Sequence, residues 1–159
     1  MNWGGWALWG FAATLVLTTL LSAGQGMGLT RMSIPYMLGT MVTSDRDRAK
    51  TLGFGMHLVS GWLFALVYAA AFQSWGAAGW RRGALIGLVQ ASFGLSAGMR
   101  FLPGLHPRMA SEQQGPTAVR VLEPPGFLAM NYGRLTPLVA VLAHMAYGAI
   151  FGAFYILPR

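Results

Sequence analysis

The chain has 159 residues, 55% of them hydrophobic and only 9% charged, with a mean hydropathy of +0.50. Soluble domains carry about 25% charged residues, so a water-exposed globule of this size is excluded and lipid is the natural solvent. Eleven basic residues against four acidic ones leave a net charge of +7. The basic residues lie between apolar runs, where they serve as topology signals and contacts for anionic lipid headgroups, not as a nucleic-acid surface.

The apolar runs set the fold class. A membrane helix needs about 20 mostly apolar residues, and four runs meet that need, at about 6–23, 51–72, 83–99 and 136–157. None holds Asp, Glu, Lys or Arg in its interior, and none has the polar face that a helix of a soluble bundle requires. The expectation is a single all-α membrane domain over 1–159 with four transmembrane helices. Met1 to Gly10 carry no basic n-region, so the first run is expected to remain in the mature protein. Cysteine is absent, which excludes disulfides, thiolate metal sites and a cysteine nucleophile.

Orientation is set by the basic residues beside the spans. The first long connection holds Arg31, Arg46, Arg48 and Lys50, and the second holds Arg100, Arg108, Arg120 and Arg134. The opposite side has Arg81, Arg82 and Arg159. This asymmetry places the two long connections in the cytoplasm and both termini outside. Trp3, Trp6, Trp9, Trp75 and Trp80 cluster on the outer side as an interfacial belt.

The second and fourth runs are self-similar. HLVSGWLFALVY (57–68) and HMAYGAIFGAFY (144–155) share His57/His144, Gly61/Gly148, Phe64/Phe151 and Tyr68/Tyr155 at a constant offset. The first and third runs share LSAG, at Leu21 to Gly24 and Leu95 to Gly98. A duplicated two-helix hairpin, with repeats 6–72 and 83–157, accounts for both matches. Copies of equal orientation imply a pseudo-two-fold axis along the membrane normal. The matched positions form one helical stripe. Gly61, Gly148 and Gly152 on that stripe, with Gly94 and Gly98 on the third run, are expected to bring helices close together. Gly24-xxx-Gly28 and Gly83-xxx-Gly87 have the same spacing.

All four acids, Asp45, Asp47, Glu112 and Glu123, lie in the two long connections together with His106. His57 and His144 lie roughly 10 Å inside the bilayer from the same edge. The first connection contains SIPYMLGT (33–40), and then Ser44-Asp-Arg-Asp-Arg48, which suits the start of a helix. The second connection, 100–135, is far longer than an ordinary loop. It holds Pro103, Pro107, Pro116, Pro124 and Pro125, with more apolar bulk than a disordered linker needs. An ordered, proline-rich cap over the bundle is expected there, its 127–132 part at the interface.

The segments SIPYMLGTMVTSDRDRAK, LPGLHPRMASE, LEPPGFLAMNYG and AHMAYGAIFGAFY resemble a group of small bacterial four-helix integral membrane proteins with no assigned function. The resemblance spans most of the chain. It implies the bacterial inner (cytoplasmic) membrane and carries no activity.

Two chemical readings attach to the histidines. Paired transmembrane histidines at equal depth suit a haem held from both faces by His57 and His144, with Gly61 and Gly148 leaving room for a porphyrin. A metal at the cytoplasmic rim would draw on His57, His144, His106 and Glu112, converging through folding, since neither HxxxH nor HExxH occurs. The ten methionines are scattered, as packing residues are. No nucleophile elbow, phosphate loop or paired-acid motif points to an enzyme, and no acid lies within a span to relay ions, so a transporter would have to oligomerise. The expected function is therefore a non-catalytic membrane component, an accessory subunit or small homo-oligomer, with lipid and possible partner chains as its contacts.

Overall fold

A computed structural model of the chain describes residues 1–158. The regular structure of the described residues is helical, with α1 (Trp3–Gly26), α2 (Ile34–Thr40), α3 (Arg46–Ser74), α4 (Trp80–Phe93), a π-helical segment (Gly94–Gly98), α5 (Met99–Leu105), a 3-10 turn (Phe127–Tyr132) and α6 (Thr136–Phe154). No strand forms among them; a single bridge joins Met109 to Leu122. Four helices are long and apolar enough to cross a membrane: Trp3–Gly26, Arg46–Ser74, the continuous run Trp80–Leu105, and Thr136–Phe154.

The boundaries have local causes. Helix α3 begins before its apolar run because Asp45 accepts from the Arg48 N–H at 2.8 Å, while Asp47 sits in the first turn where the helix dipole favours an anion. Helix α6 ends at Phe154, and Pro158, with no N–H for the Phe154 carbonyl and with Leu157 held out of helical geometry before it, bars any continuation. The third span overruns its expected end. The π turn carries the chain into α5, which includes Pro103 and ends where His106, placed before Pro107, turns extended (φ −90°, ψ 118°). The segment 33–40 folds as α2, capped by Ser33, whose hydroxyl accepts from the Tyr36 N–H at 3.3 Å.

The chain forms two compact units. The first takes Met1–Leu21, Leu58–Ala91 and the stretch from Ala140 onward, and so holds parts of all four spans. Its helices pack in antiparallel pairs on small residues. In the α1/α3 pair, a Cβ on Gly10 would lie 2.8 Å from that of Ala65, and one on Gly61 would strike the Thr14 side chain. In the α4/α6 pair, Gly83 and Gly148 abut each other's carbonyls, Gly87 abuts the His144 carbonyl, and Gly152 abuts the Gly79 carbonyl. Without a hydrophobic driving force between helices in lipid, such close approach supplies the dispersion that holds them. Aromatic contacts complete this core. Trp6 stacks on Trp62 at 5.0 Å, Phe72 on Phe151 at 6.1 Å, and Tyr68 meets Tyr147 edge-on at 5.2 Å.

The second unit takes Ser22–His57 and Ser92–Val139. Here α2 lies directly on the start of α3, with Gly39 against the Ala49 carbonyl and Gly53 against the Pro35 carbonyl. Neither position tolerates a side chain without moving backbone.

Two expectations need correction. Gly94 and Gly98 do not bring helices together within the chain: a Cβ on Gly94 would meet nothing within 4 Å, and one on Gly98 only the Phe93 carbonyl at 3.9 Å. The π turn inserts one extra residue, which rotates the downstream helical residues by about 100° about the helix axis. The glycines of this span that meet another helix are Gly83 and Gly87, before the π turn. The shared stripe also differs between its copies, since Phe151 is fully buried whereas Phe64 is 47% exposed.

Candidate functional site

In the first unit, most buried polar groups find a partner within the chain. The Thr14 hydroxyl donates to the Gly10 carbonyl at 2.7 Å and Thr18 to the Thr14 carbonyl at 2.8 Å, each one turn back along α1. The Tyr147 hydroxyl donates across to the Gly61 carbonyl at 2.6 Å, and Tyr68 to the Gln90 side-chain oxygen at 2.6 Å. The Trp6 indole N–H donates to the Trp62 carbonyl at 3.0 Å. The Trp62 indole nitrogen is buried and finds no acceptor among the described residues. Removed from water, each of these groups is costly if left unmet. The Trp6, Tyr68 and Tyr147 bonds join neighbouring helices, whereas the two threonine bonds stay within α1.

His144 belongs to this unit. Its Nδ1 lies 2.8 Å from the Ala140 carbonyl. A carbonyl only accepts, so Nδ1 is protonated and donates to it. His57 belongs to the second unit and is buried there. The room that a porphyrin would need beside Gly61 and Gly148 is taken, by Thr14 at the first and by the Gly83 backbone with Tyr68 at the second. The glycines expected to leave room for a porphyrin serve helix contact instead.

In the second unit, the polar residues tie the long connection to the first one. His106 is buried; its Nε2 donates to the Met37 carbonyl at 2.9 Å, and its Nδ1 accepts from the Arg108 N–H at 3.1 Å. The Arg108 guanidinium donates to the Thr40 carbonyl at 2.7 Å. Met37 and Thr40 lie in the last turn of α2, where the Met37 carbonyl also accepts from the Thr40 hydroxyl at 2.9 Å. Arg108 supplies a partner for the Thr40 carbonyl and puts a cation at the helix C-terminus. Both ring nitrogens of His106 are thus committed.

A second tie runs through Arg31. Its backbone N–H donates to the Tyr132 carbonyl at 2.7 Å, and its guanidinium reaches the Asn131 carbonyl at 2.5 Å and Glu123 at 2.7 Å. Tyr132 donates in turn to the Glu123 carbonyl at 2.7 Å. Burial, reinforced by the negative charge of Glu123 and opposed by the positive charge of Arg31, pushes the Tyr132 phenol up to about 12. The turn before it holds Leu128 (φ 51°) and Ala129 (φ 60°) in the left-handed region, between Gly126 and Gly133, which also have positive φ. Two such non-glycine residues in succession carry strain that the surrounding bonds must outweigh.

Glu112 is exposed, and no group of three or more His, Asp or Glu side chains that could hold a metal gathers among the described residues. Residue-type reasoning missed Tyr147, Gln90, Arg31 and Arg108, which do the fastening. Their partners are mostly backbone carbonyls, which leave no trace in a motif. The chain matches no protein family, no curated protein and no solved structure.

Proposed function

We propose that the chain is a non-catalytic membrane component, an accessory subunit or a small homo-oligomer, that associates through the exposed side of its third span. One observation carries this reading. Only 17% of the apolar window of Trp80–Leu105 is buried within the chain, against 28–39% for the other three spans. Its uncovered stretch includes Ser92, Ser96 and Gly98, with open space around Gly94. Small residues give lipid chains little to pack on, but they let a second helix approach closely. In this reading Gly94 and Gly98 are packing glycines between chains.

The bundle is read as a duplicated hairpin with its pseudo-two-fold axis along the membrane normal. Supporting this, Gly61 and Gly148 occupy equivalent places, each facing the preceding antiparallel helix of its own pair. The bacterial inner membrane is supported by the resemblance of the polar segments. Cytoplasmic long connections, with both termini outside, are supported by the basic residues; Arg159, counted among them, lies outside the described residues. The hydrogen-bonded segment around His106, Arg108 and Arg31 is then a cytoplasmic cap, braced as a rigid platform.

Extraction from native membranes in mild detergent, with mass measurement of the intact assembly, tests the reading. The expected result is a particle heavier than one 17.1 kDa chain, and its reduction to a single chain by Gly98→Leu. A lone chain in the native extract would overturn it.

A further inference from the structure

The second unit carries a ledge at the end of the third span that the helix contacts do not use. Trp80–Leu105 runs for 26 residues. At 1.5 Å per residue this is about 39 Å, against a hydrocarbon core of about 30 Å. Arg81 and Arg82 are exposed at the start of the helix and hold that end at the opposite interface. The excess length therefore falls at the α5 end, among the headgroups.

Helix α5 packs there against the 3-10 turn Phe127–Tyr132, and so does the π segment that precedes it. On these two elements Phe101 (65%), Leu105 (74%), Phe127 (73%) and Met130 stay exposed. Such a row of large apolar side chains would be a liability in water. At the boundary of acyl chains and headgroups it is an anchor.

Charge identifies the occupant. Arg100 precedes Phe101, and Arg134 stands two residues before the start of α6, so both sit where a span meets the interface. Both are exposed, and neither is in an ion pair among the described residues. Of the four acids of this unit, Glu123 pairs with Arg31 and Asp47 with Lys50; Asp45 caps the Arg48 N–H, and neither it nor Glu112 forms an ion pair with Arg100 or Arg134 among the described residues. Guanidinium groups bind phosphate oxygens with two parallel hydrogen bonds.

We propose that α5 and the Phe127–Tyr132 turn form a docking ledge for anionic phospholipid headgroups, with Arg100 and Arg134 on the phosphates and Phe101, Leu105 and Phe127 among the upper acyl carbons. The ledge lies beyond Gly98 on the same span, and its test reads retained lipid, whatever the mass of the particle.

The full chain, placed in nanodiscs of equal phosphatidylglycerol and phosphatidylcholine, is released and its retained lipids are counted by native mass spectrometry. The wild-type chain is expected to retain phosphatidylglycerol in preference. A basic residue near an anionic surface contributes about 1 kcal/mol, so Arg100→Gln with Arg134→Gln lowers that preference roughly tenfold or more. Arg100→Lys with Arg134→Lys preserves most of it. Arg46→Gln with Arg48→Gln, outside α5 and the turn, lowers it by clearly less than the ledge pair. Equal retention of the two lipids by wild type, or a Gln pair that behaves as wild type, overturns the proposal. So does displacement of the lipid by millimolar inorganic phosphate, which would mark a site for free phosphate.

Discussion

Two glycines of α3, two residues apart, should answer the same substitution with opposite signs. A methyl group on Gly53 runs into the Pro35 carbonyl and comes within 2.8 Å of the Gly39 amide nitrogen, whereas one on Gly55 meets nothing within 4 Å. The obstacles at Gly53 are backbone atoms, which cannot rotate aside, so α2 must move off α3 by more than about 1 Å to restore ordinary contact. Overpacking of this kind costs about 1–3 kcal/mol. Alanine at either position recovers up to about 1 kcal/mol of helix propensity. Gly53→Ala should therefore destabilise by about 1–2 kcal/mol, while Gly55→Ala is neutral or stabilising by less than about 1 kcal/mol. In a chain of this size 1 kcal/mol moves the unfolding midpoint by about 2–4 °C. Thermal unfolding in one mild detergent, monitored by tryptophan fluorescence, should show Gly53→Ala several degrees below wild type and Gly55→Ala level with it or above. Amide exchange over Ile34–Thr40 should accelerate only in Gly53→Ala. Equal midpoints for the two variants, or a lower one for Gly55→Ala, would refute this account of how α2 is seated.

Gly83→Ala and Gly148→Ala attack the same backbone contact. Each should cost about 1–3 kcal/mol, and the double variant less than the sum, because the second methyl enters a gap that the first has opened; additive losses in a double-mutant cycle would count against reciprocal packing. Tyr132 tests the second unit by pH. Its folded value is raised, so its contribution is fully present below the ordinary phenol value of about 10 and is lost as pH rises toward about 12. A difference alkaline titration at 295 nm between wild type and Tyr132→Phe should reveal one late-ionising phenol, and a missing signal ionising near 10 would contradict its burial beside Glu123.

How much was legible in advance differs by residue. The four spans depend on local hydropathy over about 20 residues, and a continuous apolar run in lipid has only the helix in which to satisfy its backbone. Sequence also located the start of α3, because Asp45 and Asp47 act on the amides and dipole of their own first turn. Glycine spacing showed which residues were free to approach another helix, but it could not choose among them. Gly83 and Gly94 look alike in sequence; one abuts Gly148 and the other faces open space.

That choice belonged to the tertiary structure. The histidines divide in the same way. Their residue type invited a ligand, yet His106 is committed to the Met37 carbonyl and the Arg108 amide, and the space beside Gly61 and Gly148 is filled. What the sequence alone determined was the part that each segment settles with its solvent: four apolar helices and the polar segments between them. Which glycine meets which carbonyl, and which arginine is drawn into an ion pair, depends on partners distant in the chain. Only packing brings those partners together.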